Sequence, residues 1–303
     1  MTASILDVLT NLKLGETRHF ENVAVTPILG EKTEIVTYTT LSRALPSAAF
    51  KITEVSQNGS VPDLRLVSEL DVAVLLIDGE ELSGAKQNRI LNATLLADAH
   101  SELIIPVSCT EHGRWSYSSE RFDDSDVVMT PRHRAATSAD VRRSLREGRS
   151  YRSDQEAVWS RVDDMHDKLG TRSATGAMRD AFEARLSRLD RFVDAFPCSP
   201  DQKGLAVAVD GRLLGLELVS RSEAYADLHS KLAKSYAMEA LFQAEGPLPS
   251  ETGSEDVRDF VEQLSEASET KHKSVGLGWD YRYEGPGLGT SSRAWRLPCG
   301  ASG

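Results

Sequence analysis

Charged and polar side chains of both signs are concentrated in residues 78–89, which read Asp-Gly-Glu-Glu-Leu-Ser-Gly-Ala-Lys-Gln-Asn-Arg. Glu80 and Glu81 could act as a general acid or base or as metal ligands, because carboxylates perform both roles. Lys86 and Arg89, together with backbone N–H groups near the second glycine, could hold a phosphate or a carboxylate. The residue types and their spacing therefore predict a candidate site for an anionic ligand.

The same segment also has a structural interpretation. Asp78-Gly79 is typical of a hairpin turn, and residues 86–89 could form a solvated edge of a sheet. The spacing alone does not decide between a site and this structural role. A phosphate-binding P-loop is excluded, because Ala85 separates the glycine from the lysine and neither Ser nor Thr follows Lys86.

Two apolar segments flank the polar run and would position it. Residues 72–77 are continuously apolar, which is typical of a strand buried on both faces, and residues 90–96 are also predicted to lie in the core. A polar loop anchored at both ends by buried strands is a common way to build a rigid site.

Cys109 ends a predicted strand over residues 102–109 and is followed by His112. A neighbouring imidazole can lower the pKa of a thiol and make it a nucleophile. A cysteine at the end of an apolar strand is more often buried and inert, so the structural role is favoured. The histidines form neither an H-x-H nor an H-E-x-x-H pattern, and no metal site is predicted.

Composition limits the class of protein without naming an activity. The chain has 303 residues, of which 40% are hydrophobic and 27% charged, as in globular proteins. A net charge of −11 gives no electrostatic help towards nucleic acid or an anionic membrane, and neither partner is predicted. The longest apolar run is far too short to cross a membrane. Three scattered cysteines without a C-x-x-C motif favour a reduced, cytoplasmic location.

The strand and helix signals predict one α+β domain, with a mainly antiparallel sheet core and packed helices. Residues 1–117 form its β-rich part, and residues 118–153 are predicted to be a charged excursion. Residues 154–196 are predicted to be a helical pair, and residues 204–268 a hairpin followed by helices. Residues 275–303 give weak signals and are predicted to be a weakly structured tail.

Local signals define some of these elements more sharply. Asp154 is a predicted N-cap of the first helix, and Gly170 is predicted to end it. The second helix is predicted from an apolar stripe that runs from Met178 to Val193. Asp210-Gly211 predicts a hairpin turn between two strands.

The charged excursion runs from acidic residues to a cluster of arginines between residues 132 and 152. Two interpretations are open: a solvated segment whose halves neutralise each other, or a nucleic-acid-binding patch. The solvated segment is favoured, because a patch would require the arginines to gather on one face.

Two strings within the chain, residues 74–92 and 105–115, resemble the ARPP domain family, whose name abbreviates ADP-ribosylglycohydrolase and rhodanese-phosphatase associated protein. The resemblance extends from Leu14 to the predicted helix at residues 231–240. His112 stands where the family pattern has glutamine, and the chain departs from the pattern after Ser274. The family-like polar positions are Asp78, Glu80, Glu81, Lys86, Gln87, Asn88, Arg89, Asn92, Cys109, Glu111, Arg114 and Trp115.

The polar segment, the absence of a standard catalytic motif and the resemblance together leave two alternative functions. The first is a ligand-handling domain, enzymatic or not, for a nucleotide-derived or phosphorylated metabolite such as ADP-ribose, in a bacterial conflict or defence system. Its acid–base candidates are Glu80 and Glu81, and its ligand-binding candidates are Lys86, Gln87, Asn88, Arg89, Glu111 and Arg114.

The second alternative is a non-catalytic interaction module that binds an ADP-ribosylglycohydrolase or a rhodanese-phosphatase protein. In that case the polar loop is structural. Lys86 would pair with Glu80 or Glu81, and Asn88 and Asn92 would cap backbone groups. No cofactor follows from either alternative.

Overall fold

The computed structural model describes residues 5–30, 37–242 and 253–285, and its elements are numbered in chain order. The helices are α1 (Ile5–Thr10), α2 (Leu41–Ala44), α3 (Pro131–Arg146), α4 (Gln155–Leu169), α5 (Met178–Glu183), α6 (Leu186–Ala195), α7 (Ser222–Phe242) and α8 (Ser254–Ser265). The first eight strands are β1 (Lys13–Leu14), β2 (Arg18–Phe20), β3 (Val23–Leu29), β4 (Tyr38–Thr40), β5 (Phe50–Glu54), β6 (Asp63–Ser68), β7 (Ala73–Leu76) and β8 (Glu80–Gly84). The others are β9 (Arg89–Leu91), β10 (Leu95–Ala97), β11 (Glu102–Cys109), β12 (Phe122–Val128), β13 (Gln202–Val209), β14 (Arg212–Leu218), β15 (Ser268–Lys273) and β16 (Trp279–Glu284).

The fold is α+β with mostly antiparallel sheets, as the sequence predicts. β4 and β7 pair in parallel. Contacts divide the chain into two compact units: unit 1 is Met1–Val36, Arg188–Lys273 and Gly278–Gly303, and unit 2 is Thr37–Ser187 and Ser274–Leu277. In the described part of the chain, every helix is too short or too polar to cross a membrane.

Unit 1 is built around a sheet in the order β1-β3-β13-β14, with β2 also paired to β3. β13 is buried along its whole length between β3 and β14. Asp210 and Gly211 connect β13 to β14 with φ values of 49° and 70°, which fit a hairpin turn. The predicted hairpin is therefore confirmed.

Unit 2 contains the polar run and a six-stranded sheet in the order β12-β8-β9-β11-β6-β5. Its two end strands, β5 and β12, contact each other, so the sheet curls round towards a barrel. A cluster of buried apolar side chains fills the inner face of this sheet, among them Ile52, Leu64, Leu82, Leu91 and Val107. Because side chains alternate along a strand, every second residue of each strand faces this core.

Residues 118–153 contain ordered elements, so the prediction of a solvated charged excursion is wrong. β12 pairs with β8, and α3 follows with 16 residues. The buried side chains of α3 are mostly small or polar, including His133, Arg134 and Thr137. The sequence of α3 therefore shows no apolar stripe that would predict a helix, although one face of the helix is buried.

The helical region is confirmed in part. Asp154 caps α4 by accepting a hydrogen bond from the Ala157 amide at 3.1 Å, and Gly170 ends the helix in the left-handed conformation with a φ of 60°. The predicted second helix is instead two helices, α5 and α6. Residues 90–96, predicted to be one core segment, form the two strands β9 and β10.

The predicted weakly structured tail is ordered at its start. β16 pairs with β15 along its whole length, from Trp279 opposite Lys273 to Glu284 opposite Ser268. Residues 286–303 of the predicted tail lie outside the described residues.

Candidate functional site

The polar run forms a hairpin in which residues 85–88 connect β8 to β9. Gly84 and Ala85 begin this turn with φ values of 119° and 40°. A Cβ at Gly84 would lie 2.5 Å from the Ser119 hydroxyl, so the position requires glycine. A positive φ at Ala85 is strained, and such strain persists only where neighbouring contacts hold the backbone.

Arg114 supplies those contacts. Its Nη1 donates to the Ala85 carbonyl at 2.7 Å, and its Nη2 donates to the Gly84 carbonyl at 3.3 Å. The same guanidinium pairs with Glu111 through Nε at 2.9 Å and Nη2 at 2.5 Å. All three side-chain nitrogens of Arg114 therefore donate hydrogen bonds to the strained turn or to the Glu111 carboxylate.

Glu111 and Asn88 complete this clamp. The backbone amide of Asn88 donates a hydrogen bond to Glu111 at 3.1 Å, and the Thr175 hydroxyl donates one at 2.8 Å. Burial alone would raise the pKa of Glu111, but hydrogen bonds from Arg114, Thr175 and the Asn88 backbone lower it, so the carboxylate is charged. The Asn88 side chain accepts from the Gly84 amide at 3.2 Å and thereby caps the turn.

Arg89 lies on the inner face of the curled sheet. It pairs with Leu82 on β8 and with Cys109 on β11, and its side chain is completely buried. Nη1 donates to the backbone carbonyl and the side-chain oxygen of Gln87, at 3.1 and 3.2 Å. Nε and Nη2 have no hydrogen-bond partner among the described residues. Burial lowers the pKa of Arg89, because its charge is poorly solvated.

Glu54 is the carboxylate that faces Arg89, and the sequence analysis missed it. It ends β5 on the same inner face as Phe50 and Ile52. Its Oε1 lies 3.7 Å from Nη2 of Arg89, too far for a hydrogen bond, and Oε2 has no partner among the described residues. The signal available in the sequence was a charged residue at an apolar position of an alternating strand.

Lys86 covers this buried pair. Its ammonium group donates to the Asn58 carbonyl at 3.0 Å and lies 5.2 Å from the ring centre of Trp115 and 5.1 Å from that of Tyr117. Trp115 is 47% exposed and Tyr117 52% exposed. Gly59 lies beside both side chains: a Cβ at this position would be 3.1 Å from the Lys86 side chain and 3.2 Å from the Glu54 carboxylate. These residues close one end of the curled sheet, and the two rings face solvent.

Cys109 does not form the thiol–imidazole pair considered from the sequence. Its Sγ lies 3.9 Å from the Val61 carbonyl, and the ring of His112 packs against Trp159 at 4.5 Å. Burial raises the pKa of the Cys109 thiol to about 11, so the thiol is protonated at neutral pH. The structural role favoured for Cys109 agrees with this environment.

Glu81 faces away from Arg89. It pairs with Ile90 in the hairpin, whereas Arg89 pairs with the next residue, Leu82, so the two side chains lie on opposite faces of the sheet. The Thr110 hydroxyl donates to Oε1 of Glu81 at 2.6 Å, and Oε2 has no hydrogen-bond partner in the described ranges. Burial raises the pKa of Glu81 to about 7.

Glu80 is also buried, but it lies at the end of the hairpin remote from the turn. Its Oε2 accepts from the Ile77 amide at 2.8 Å. Because neighbouring residues of a strand point to opposite faces, Glu80 and Glu81 cannot act on one substrate as a carboxylate pair.

The structure thus sorts the predicted site residues into groups. Lys86, Gln87 and Arg89 converge on one end of the inner face, while Asn88, Glu111 and Arg114 bond one another around the turn. Glu81 lies on the outer face. Among the residues that the structure describes, no group of three His, Cys, Asp or Glu side chains could hold a metal ion.

Several arginines of residues 132–152 form separate ion pairs. Arg134 is buried and donates to Asp78 at 2.8 Å, and Arg152 pairs with Asp63 at 2.9 Å. Arg143 pairs with Asp140 at 3.4 Å on the same helix. Their partners are therefore acidic groups of unit 2 itself.

Comparison with known proteins identifies a family for this chain. Residues 11–298 match the model of the ARG and Rhodanese-Phosphatase-superfamily-associated Protein domain, ARPP-1. No curated protein and no solved structure matches the chain. The family name refers to an association with ADP-ribosylglycohydrolases and rhodanese-phosphatase proteins. Since the match covers nearly the whole sequence, the chain belongs to the ARPP-1 domain family.

Proposed function

We propose that the chain is a ligand-handling domain for a nucleotide-derived or phosphorylated metabolite, which binds at the end of the curled sheet closed by Lys86, Trp115 and Tyr117. The observation that carries this proposal is the placement of one ammonium group between two half-exposed aromatic rings. The mouths of curled and closed sheets are frequent ligand sites. Because the family is named for an association with ADP-ribosylglycohydrolases, we propose an ADP-ribose-like ligand and a role in a defence system.

The chemistry of these three residues suits such a ligand. Lys86 forms no ion pair with a carboxylate in the described part of the chain, so its charge is available to a phosphate group. Stacking of a base on an aromatic ring stabilises a complex by ~1–3 kcal/mol per base. A ligand with a phosphate and a planar ring would therefore gain from both features at once.

The other candidate residues take supporting roles in this proposal. Arg114, Glu111 and Asn88 hold the strained turn that presents Lys86, and Gln87 holds Arg89. Any reaction would use Glu81 rather than Glu80 as the acid or base, because a pKa of about 7 suits proton transfer near neutral pH. Because Glu81 lies on the outer face, it could act only on a part of the ligand that reaches that face, away from the bound phosphate.

The proposal is tested by a thermal-shift screen with ADP-ribose, NAD, nucleotides, ribose 5-phosphate and inorganic phosphate. A compound at 100 times its dissociation constant stabilises the native state by about 2.7 kcal/mol, which raises the melting temperature by several degrees. The shift should disappear in Lys86→Gln and shrink in Trp115→Leu. Lys51→Gln, a substitution of an exposed lysine on β5, is the matched control and should keep it. If none of the compounds shifts the melting temperature, the proposal is wrong.

A second candidate function is the non-catalytic interaction module. Internal bonding of the polar loop favours it: Asn88 caps the turn, and Asn92 donates to the Tyr151 carbonyl at 3.1 Å. Trp115 and Tyr117 would then contact a protein partner. A pull-down with purified ADP-ribosylglycohydrolase and rhodanese-phosphatase proteins tests this function, and capture should weaken in Trp115→Ala. If neither protein is recovered at micromolar concentration, the module has another role.

A further inference from the structure

The buried pair of Arg89 and Glu54 leaves three hydrogen-bonding atoms without partners among the described residues: Nε and Nη2 of Arg89 and Oε2 of Glu54. Both side chains are almost completely buried, with exposed fractions of 0% and 3%. An unsatisfied buried group destabilises the folded state, and more strongly when it is charged. Unsatisfied groups are rare in protein interiors, so the pair calls for a physical explanation, and a bound ligand is one that the surrounding residues support.

A phosphate or carboxylate does not fit this pair. The charge of Arg89 is already faced by Glu54 at 3.7 Å, so an added anion would be repelled by that carboxylate. The group that fits must accept two hydrogen bonds from adjacent donors of a guanidinium and donate one to a carboxylate oxygen. It must also be neutral, since the pair is neutral as a whole.

A 6-oxopurine has this arrangement along one edge. N7 and O6 of guanine or hypoxanthine are adjacent acceptors, which match the fork of an arginine, and the neighbouring N1–H is a donor. Adenine places an amino donor where O6 stands, so one arginine donor would face another donor. Resting on the proposed binding of a nucleotide-derived metabolite, but with a 6-oxopurine in place of the adenine of an ADP-ribose-like ligand, we infer that Arg89 and Glu54 read the edge of a 6-oxopurine base. Lys86 holds the phosphate of the same nucleotide.

The positions of the surrounding residues agree with this assignment. The ring of Trp115 lies over the Arg89 guanidinium at 5.7 Å and over Lys86 at 5.2 Å, so it separates the buried pair from solvent. Trp115 is half-exposed and belongs to an irregular segment. The inference requires its side chain to rotate away from the pair when a base enters. After binding, the same ring stacks on that base.

The inference is tested with the full chain and a series of ligands, by calorimetric titration with GMP, IMP, AMP, 7-deaza-GMP and ribose 5-phosphate. GMP and IMP should bind at least tenfold more tightly than AMP and ribose 5-phosphate. Removal of the N7 acceptor in 7-deaza-GMP should weaken binding by about tenfold, since one buried donor is then left unpaired. This series requires no substitution and therefore does not depend on a variant that folds.

Substitutions distinguish recognition of the base from binding of the phosphate. Glu54→Gln should weaken GMP binding by about tenfold and leave binding of ribose 5-phosphate unchanged, whereas Lys86→Gln should weaken both. Glu102→Gln, which alters an exposed carboxylate of unit 2, is the control for Glu54→Gln. Trp115→Leu remains informative if Glu54→Gln does not fold, and it should remove the preference for GMP over ribose 5-phosphate.

The failures of the two proposals are distinguishable. If AMP and ribose 5-phosphate bind as tightly as GMP, the base assignment is wrong and the phosphorylated-ligand proposal stands. If Glu54→Gln lowers the melting temperature and leaves GMP affinity unchanged, the pair is only an internal contact and the inference is again wrong. If none of the phosphorylated compounds binds, both proposals fail together.

Discussion

Arg114 and Arg89 lie in the same hairpin region, yet their surroundings differ in one respect. Arg114 donates from all three nitrogens to carbonyls, a carboxylate and an amide oxygen. Arg89 is more deeply buried and leaves two nitrogens without hydrogen bonds in the described structure. A buried arginine in a polar loop is therefore not by itself a ligand residue. On the base recognition proposed above, the donors left over after internal bonding distinguish a ligand-binding arginine from a structural one.

The largest effect is expected for Arg114→Met. The substitution leaves Glu111 without its cation and frees the carbonyls that hold the strained turn at Gly84 and Ala85. We expect the free energy of unfolding to fall by ~3–5 kcal/mol, as for other buried pairs that lose one partner. Urea denaturation followed by circular dichroism measures this change.

A second substitution should not rescue that variant. Arg114→Met combined with Glu111→Gln removes the uncompensated charge but still leaves the two carbonyls unpaired. A double variant as stable as the wild type would show that Arg114 stabilises only the carboxylate, and the clamp assigned to the turn would be wrong.

Glu81→Gln is expected to act in the opposite direction, and only above acidic pH. Burial raises the pKa of Glu81 from 4.5 to about 7, so folding favours the protonated form. The stability contributed by that protonated form is present below pH 4.5 and is lost as the pH rises towards 7. Glutamine has no charge to bury, so the variant should exceed the wild type by up to ~3 kcal/mol at pH 8 and equal it near pH 4.

Chemical denaturation at several pH values tests this prediction, with Glu120→Gln as the control on an exposed carboxylate. A constant difference between Glu81→Gln and the wild type from pH 4 to pH 8 would contradict it. It would also weaken the case for Glu81 as an acid or base near neutral pH.

The smallest effect is expected for the double substitution Arg89→Met with Glu54→Gln. The single Arg89→Met leaves a buried carboxylate without its cation and should be destabilising by ~2 kcal/mol, less than a well-bonded pair because the two groups are 3.7 Å apart. The double variant removes both charges, and we expect its stability to lie within ~1 kcal/mol of the wild type.

Thermal and urea denaturation of the single and double variants measure these differences. If the double variant is as unstable as Arg114→Met, Arg89 is a structural residue like Arg114, and the contrast between the two arginines disappears.

Much of the fold could be predicted from the sequence, because strands such as β11 and the hairpin at Asp210-Gly211 carry local signals. α3 could not, since its buried face consists of small and polar side chains. The segment that holds the candidate site could also be located, from its polar residues between apolar strands.

The division of that site between two faces could not be predicted. It depends on the register of the β8–β9 hairpin, which places Glu81 opposite Ile90 and therefore away from Arg89. A shift of one residue would exchange the faces, and no local signal fixes that choice. Glu54 was missed because its partner is distant in sequence and meets it only when the sheet curls.

The pairing of β3 with β13 has a consequence for the chain during its synthesis. β3 can pair early with β1 and β2, but its other edge must wait for β13. At about 5–20 residues per second, the roughly 170 intervening residues take on the order of 10–30 seconds to emerge. Through that interval the ribosome-bound chain presents the unpaired edge of a buried, apolar strand to solvent. This edge is where chaperones should bind nascent chains and where overexpressed protein should first aggregate.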